Sequence, residues 1–115
     1  MPSIVKILLD TSKADTELLR KNDKLGDVFT IPREVDFLLR TPSEKKAKGV
    51  AGFINDNQYG RASVQSLLAE FRIQVLIEMP ITQNVVCSVS ALMACISKIF
   101  GVNYDGWGCV IQSRA

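Results

Sequence analysis

The 115-residue sequence predicts an α+β fold, and three observations predict it. Residues 31–40 and 71–79 alternate apolar and polar side chains with the period of a half-buried strand. Residues 12–25, 44–54 and 85–100 repeat apolar side chains at helical spacing. After the first helix these segments, with two shorter strands, run β-α-β-β-α-β. Strands of this length cannot each bury two faces, and two helices cover only one side of a four-stranded sheet. The economical packing is a ferredoxin-like sandwich: an antiparallel sheet with its helices on one face, right-handed crossovers, and an extra N-terminal helix. The chain fits a single domain over 1–115, with 1–10 as an N-terminal extension.

The elements follow in order. The stretch "SIVKILL" near the start reads equally as a strand or as the beginning of a helix. In the helix that follows, Thr11 or Ser12 can cap, Leu18, Leu19 and Leu25 give a partial apolar face, and Gly26 stops it. In "IPREVDFLLR", Ile31, Val35, Phe37 and Leu39 alternate with Glu34, Asp36 and Arg40, and Pro32 suits the strand's start. Ser43 caps the next helix, with Glu44 in its first turn and Ala47, Val50, Ala51 and Ile54 as its apolar stripe. "GRASVQS" is a short strand. In the strand after it, Phe71, Ile73, Val75, Ile77 and Met79 lie on one side, and Arg72, Gln74 and Glu78 on the other; Pro80 ends it. Thr82 caps a helix whose expected buried face is Val85, Val89, Leu92, Met93, Ile96 and Phe100, with Gly101 just past its end. "YDGWGCVIQ" is the last strand. The open sheet face is expected to carry Glu34, Asp36, Arg40, Arg72, Gln74 and Glu78.

Composition excludes several functions. Hydrophobic residues make up 47% and charged residues 23%, which is ordinary globular usage. The net charge of +2 comes without a basic stripe, and the wet strand positions hold no aromatic rings on which bases could stack, so no direct nucleic-acid binding is expected. The most apolar run, 85–100, is shorter than a membrane span needs and contains Lys98, so a core helix is expected and no membrane contact. Three scattered cysteines and no leader-like start predict a cytoplasmic chain.

The absence of His removes the commonest general base and metal ligand. No Ser-His-Asp or Cys-His constellation is possible, no metal site and no cofactor are expected, and no Gly-rich phosphate loop occurs. Cys87 and Cys95, eight residues apart on one helix, are about 12 Å apart along its axis, too far for a disulfide. They and Cys109 read as small hydrophobes. Carboxylates are the remaining catalytic option. Glu34 and Asp36 share a strand face about 7 Å apart, and Glu78 joins them, but nothing in the sequence builds the pocket that acid–base work needs. The chain is therefore read as a non-enzyme.

The segment "NYDGWGC" holds the only Trp. Asp105-Gly106 is a good turn pair, and Gly108 can mark a bulge or a close backbone approach. Trp107 either packs on the core with its indole N–H bonded or stands out as an anchor for a partner.

The run "NYDGWG" after an apolar helix, with "GDVFTIPREVDFLL" as first strand, resembles the ribonuclease E inhibitor family, also called regulator of ribonuclease activity B. The resemblance covers about 12–112. It implies a small, non-catalytic, cytoplasmic bacterial regulator of RNA decay. Such a regulator binds the non-catalytic region of ribonuclease E through protein–protein contact and damps RNA processing. The matched positions are Pro32, Arg33, Val35 and Asp36, and Tyr104, Asp105, Gly106, Trp107 and Gly108. Arg33, Glu34, Asp36, Tyr104, Asp105 and Trp107 are the expected partner contacts, and Pro32, Gly106 and Gly108 the structural positions. The alternative is a small ferredoxin-like binding module, ligand-binding or immunity-like, that forms a homodimer through a sheet edge. The chain departs from the strongly acidic inhibitors of that family: it is +2 and ends in "IQSRA".

Overall fold

The computed structural model describes residues 3–113; the two residues at each end of the expected 1–115 domain lie outside the described ones. The elements are α1 (Ile4–Lys24), β1 (Arg33–Thr41), α2 (Glu44–Asp56), β2 (Arg61–Ser66), β3 (Phe71–Met79), α3 (Gln83–Phe100) and β4 (Asn103–Cys109). The sheet order is β2-β3-β1-β4, and every neighbouring pair is antiparallel. This is the ferredoxin-like sheet with an added N-terminal helix.

The start of the chain is helical. Ser3 caps α1 by accepting from the backbone N–H of Lys6 at 3.2 Å, so the helix begins well before Thr11 and Ser12. Ile4, Ile7 and Leu8 continue the helical spacing of the stretch after them, and this carries the β-branched residues along. Leu25 closes the helix, and Gly26 follows with φ +83°. Leu25, expected on the apolar face, is exposed. Only Asp15, Leu19 and Asn22 of α1 are buried.

β1 and β3 form the centre of the sheet, in register from Arg33↔Met79 to Thr41↔Phe71. Their inward residues Val35, Phe37, Leu39, Ile73 and Val75 are fully buried. α2 covers them with Ala47, Val50, Ala51 and Ile54, as its periodicity predicts. Ser43 caps this helix by accepting from the Lys46 N–H.

α3 buries a wider face than expected. Its buried residues are Val86, Ser90, Met93, Ala94, Ile96 and Ser97, whereas Val85, Val89, Leu92 and Phe100 are only partly buried. The reason is that α1 packs along α3 and reaches β4, so α3 is covered on a second side. Small residues at 90, 94 and 97 let the two helices approach. Thr82 occupies the N-cap without a side-chain hydrogen bond, and Gly101 ends the helix with φ +69°. Among the described residues, α3 is the one helix long and apolar enough to cross a membrane; a third of it is buried within the protein.

The last strand ends at Cys109, short of Gln112. Asp105-Gly106 is not a turn before it. The ladder passes from Leu39↔Tyr104 to Leu38↔Gly106, so Asp105 is the extra residue of a bulge inside β4. Gly106, with φ +99°, supplies the conformation that this bulge requires. The bulge sits at Asp105–Gly106 and not at Gly108.

The tightest glycine in the fold is Gly60, before β2. A Cβ there would lie 2.7 Å from Val75 Cγ1 and 2.9 Å from Ile77 Cγ1. Because Val75 is fully buried in the packed core, Gly60→Ala should cost about 1–3 kcal/mol, read as a lower midpoint in urea unfolding.

Candidate functional site

The bulge sorts β4 by face. Trp107 is buried and Tyr104 and Cys109 pack partly buried against the core. Gly106 and Gly108, paired with Leu38 and Asp36 of β1, lie on the open face. An ideal Cβ at either glycine meets nothing within 4 Å. The motif is therefore aromatic inward and bare outward.

Inward, a polar network ties three elements together. The Asp15 carboxylate of α1 accepts through Oδ1 from the Trp107 indole N–H and from the Ser90 hydroxyl, both at 2.9 Å. Ser90 Oγ lies 2.8 Å from the Tyr104 hydroxyl. Since Ser90 gives its one proton to Asp15, Tyr104 donates to Ser90. Oδ2 of Asp15 is buried with no nitrogen or oxygen partner, and the Cys87 thiol of α3 is the weak donor beside this carboxylate. Burial pushes the Asp15 carboxyl above its ordinary value, and the bonds from Ser90 and Trp107 pull the other way. Burial likewise pushes up the Tyr104 phenol and the Cys87 thiol, and the Asp15 charge adds to both.

A second buried network fixes the entry to β1. The Arg33 guanidinium donates to Asp27 Oδ1 at 2.6 Å and to the carbonyls of Val28, Ile31 and Val110. The side chains of this ion pair are 3% and 0% exposed. Asp27 also accepts from Asn22 of α1 and from the backbone N–H of Gln112. One guanidinium thus joins the α1–β1 connection to the segment after β4.

Outward, the open face is a lattice of pairs. Arg61 donates to Glu34 at 2.8 Å, Gln74 to Asp36 at 2.9 Å, and Gln65 to Gln74 at 3.1 Å. Arg40 holds Asp105 through both carboxylate oxygens and lies 3.6 Å from Glu70. Each exposed pair contributes little to stability.

The expected contact residues therefore divide. Glu34, Asp36 and Asp105 reach the open face, Glu34 and Asp36 together near one end of it and Asp105 towards the other. Arg33 and Trp107 are turned inward, Arg33 at 5% and Trp107 at 8% exposure, and Tyr104 is half-buried behind them. A partner docking on this conformation meets the first three and not Arg33 or Trp107. Pro32 is exposed at the mouth of β1. Sequence reasoning missed Asp15, Asn22, Asp27 and Ser90. The available signal was polar residues at helical spacing around apolar ones: Asp15, Leu19 and Asn22 on one helix, Ser90, Met93 and Ser97 on another. Among the described residues no group of three potential ligands is placed to hold a metal ion.

The family model described as regulator of ribonuclease activity B matches residues 12–109. No curated protein matches the chain.

Two predictions follow from the buried networks. Asp15→Asn keeps the acceptor for Trp107 and Ser90 and removes the charge. Because the folded carboxyl titrates above its ordinary 3.8, the wild type loses this group's contribution as pH rises through the elevated value. The variant should be more stable than wild type at slightly alkaline pH and lose that advantage at about pH 4, as read by urea midpoints across the range. Arg33→Ala leaves Asp27 buried without its cation and should cost about 3–5 kcal/mol by the same measurement.

Proposed function

The chain belongs to the regulator of ribonuclease activity B family, and on that premise we propose that it is a non-catalytic inhibitor of a ribonuclease E-type endoribonuclease. It acts in the bacterial cytoplasm by binding the nuclease outside its catalytic centre and slowing RNA decay. The observation that carries this reading is the match over 12–109, which spans the whole sheet, the Asp15–Ser90–Tyr104–Trp107 network and the Arg33–Asp27 pair.

The geometry supports a division of labour. Arg33, Tyr104 and Trp107 act from behind the sheet by holding β1, β4 and α1 in place. Glu34, Asp36 and Asp105 are the residues of the expected set that touch the nuclease. Their face mixes charged and amide side chains with Leu38 and Leu76 and lacks aromatic rings, which suits a protein partner and not stacked bases. No cofactor enters the mechanism, because occupancy of a protein surface is sufficient to change the nuclease's access to RNA.

The test is cleavage of a structured RNA by intact ribonuclease E from the same organism, with increasing amounts of this protein. Slower cleavage that saturates is expected. Unchanged cleavage at saturating protein removes the proposal.

A further inference from the structure

Gly108 is a glycine that the fold does not need. Its backbone conformation is open to any residue, and a Cβ there meets nothing within 4 Å. Gly106 is required by its φ of +99°, yet its outward side is equally bare. The two leave a strip without side chains on the outer surface of β4, alongside Asp36 and Leu38 of β1. Such a strip lets a second backbone come close to the sheet.

Charge selects the occupant. The three helices carry nine Lys/Arg against six Asp/Glu. On the open face the balance reverses: Arg40, Arg61 and Arg72 stand against Glu34, Asp36, Glu70, Glu78 and Asp105. The reversal is local. Arg40 is matched by Glu70 and Asp105 at one end. At the other end Glu34 and Glu78 sit opposite one another across β1 and β3, with Asp36 beyond, and Arg61 answers Glu34 alone. An open groove of ≈ 570 Å³ runs from this end past Pro32, Glu34 and Asp36 to Gly108; Arg33 also lines it, with its guanidinium turned inward onto Asp27.

We propose that this end of the open face docks an extended arginine- or lysine-bearing segment of a partner protein. The segment's backbone lies over Gly106 and Gly108, and its alternate cationic side chains reach Glu34 and Asp36. The spacing agrees: alternate side chains of an extended chain repeat every ~7 Å, the separation of two carboxylates placed two residues apart on one strand face. Leu38 gives the apolar stems of those side chains a surface to lie on. A nucleic acid brings phosphates to carboxylates and is repelled. The identity of the partner rests on the regulator reading above, in which the segment is a stretch of the nuclease.

The test uses a short fluorescein-labelled peptide of alternating glycine and arginine, followed by fluorescence anisotropy against the full chain at low and physiological salt. Wild type should bind, more weakly with salt. The matching glycine–glutamate peptide should not. Gly108→Val, whose Cβ meets nothing within 4 Å, should melt with the wild type and bind the peptide at least about tenfold more weakly; the triple variant Glu34→Gln, Asp36→Asn, Glu78→Gln should do the same. No binding by wild type, or wild-type binding by both variants, overturns the docking face. RNA cleavage assayed in parallel separates the two readings. If wild type and both variants slow cleavage equally, the face is wrong and the regulator reading stands. If only wild type binds the peptide and none affects cleavage, the face stands and the nuclease is not its partner.

Discussion

The Asp15 carboxylate is the interaction on which the arrangement of layers depends. Its Oδ1 joins the indole of Trp107 on β4 to the hydroxyl of Ser90 on α3, and Tyr104 completes the chain of bonds. The carboxylate supplements a thin apolar contact, because Leu19 is the one fully buried apolar side chain of α1 and Ile7, Leu8 and Leu18 are half-buried. Burial of the carboxylate gives this attachment a desolvation cost. The fold keeps a charged group where an apolar one would pack, and the return is orientation: the indole N–H has one direction in which to bond. That direction sets the inward face of β4 and, by alternation, leaves Gly106 and Gly108 outward.

The Arg33–Asp27 pair performs a related task at the other end of β1. Its carbonyl partners lie in the α1–β1 connection and just after β4, so segments distant in sequence meet on one guanidinium. Burying such a pair is weak as a source of stability, but losing either partner strands a buried charge, so the two segments are held together. The exposed pairs of the open face differ in kind. Solvent screens them, and a partner can exchange them for pairs of its own.

Legibility in the sequence followed periodicity. Val35, Phe37 and Leu39, and Ala47, Val50, Ala51 and Ile54, were placed correctly because each element has one buried face and a clean repeat. The composition of the open face was legible for the same reason. The start of α1 was not, because "SIVKILL" satisfies both periods and only the Ser3 cap decides. The inner face of α3 was misjudged because a helix covered on two sides has no single stripe, and its buried serines do not register as core. The bulge at Asp105 was hidden, since Asp-Gly favours a turn and a bulge alike. Arg33 was expected at a partner contact because residue type alone does not tell a buried ion pair from an exposed one, and Trp107 stood open between core and anchor. Their partners, Asp27 and Asp15, come from a connection and a helix whose polar residues look ordinary until packed.

The proposed role is association with a ribonuclease E-type nuclease away from the site of RNA cleavage. Calorimetric titration of the full chain into the non-catalytic region of ribonuclease E from the same organism, at low and physiological salt, tests it most directly. Saturable binding that weakens as salt rises is expected if the charged sheet face makes the contact. The absence of heat at either salt would contradict it.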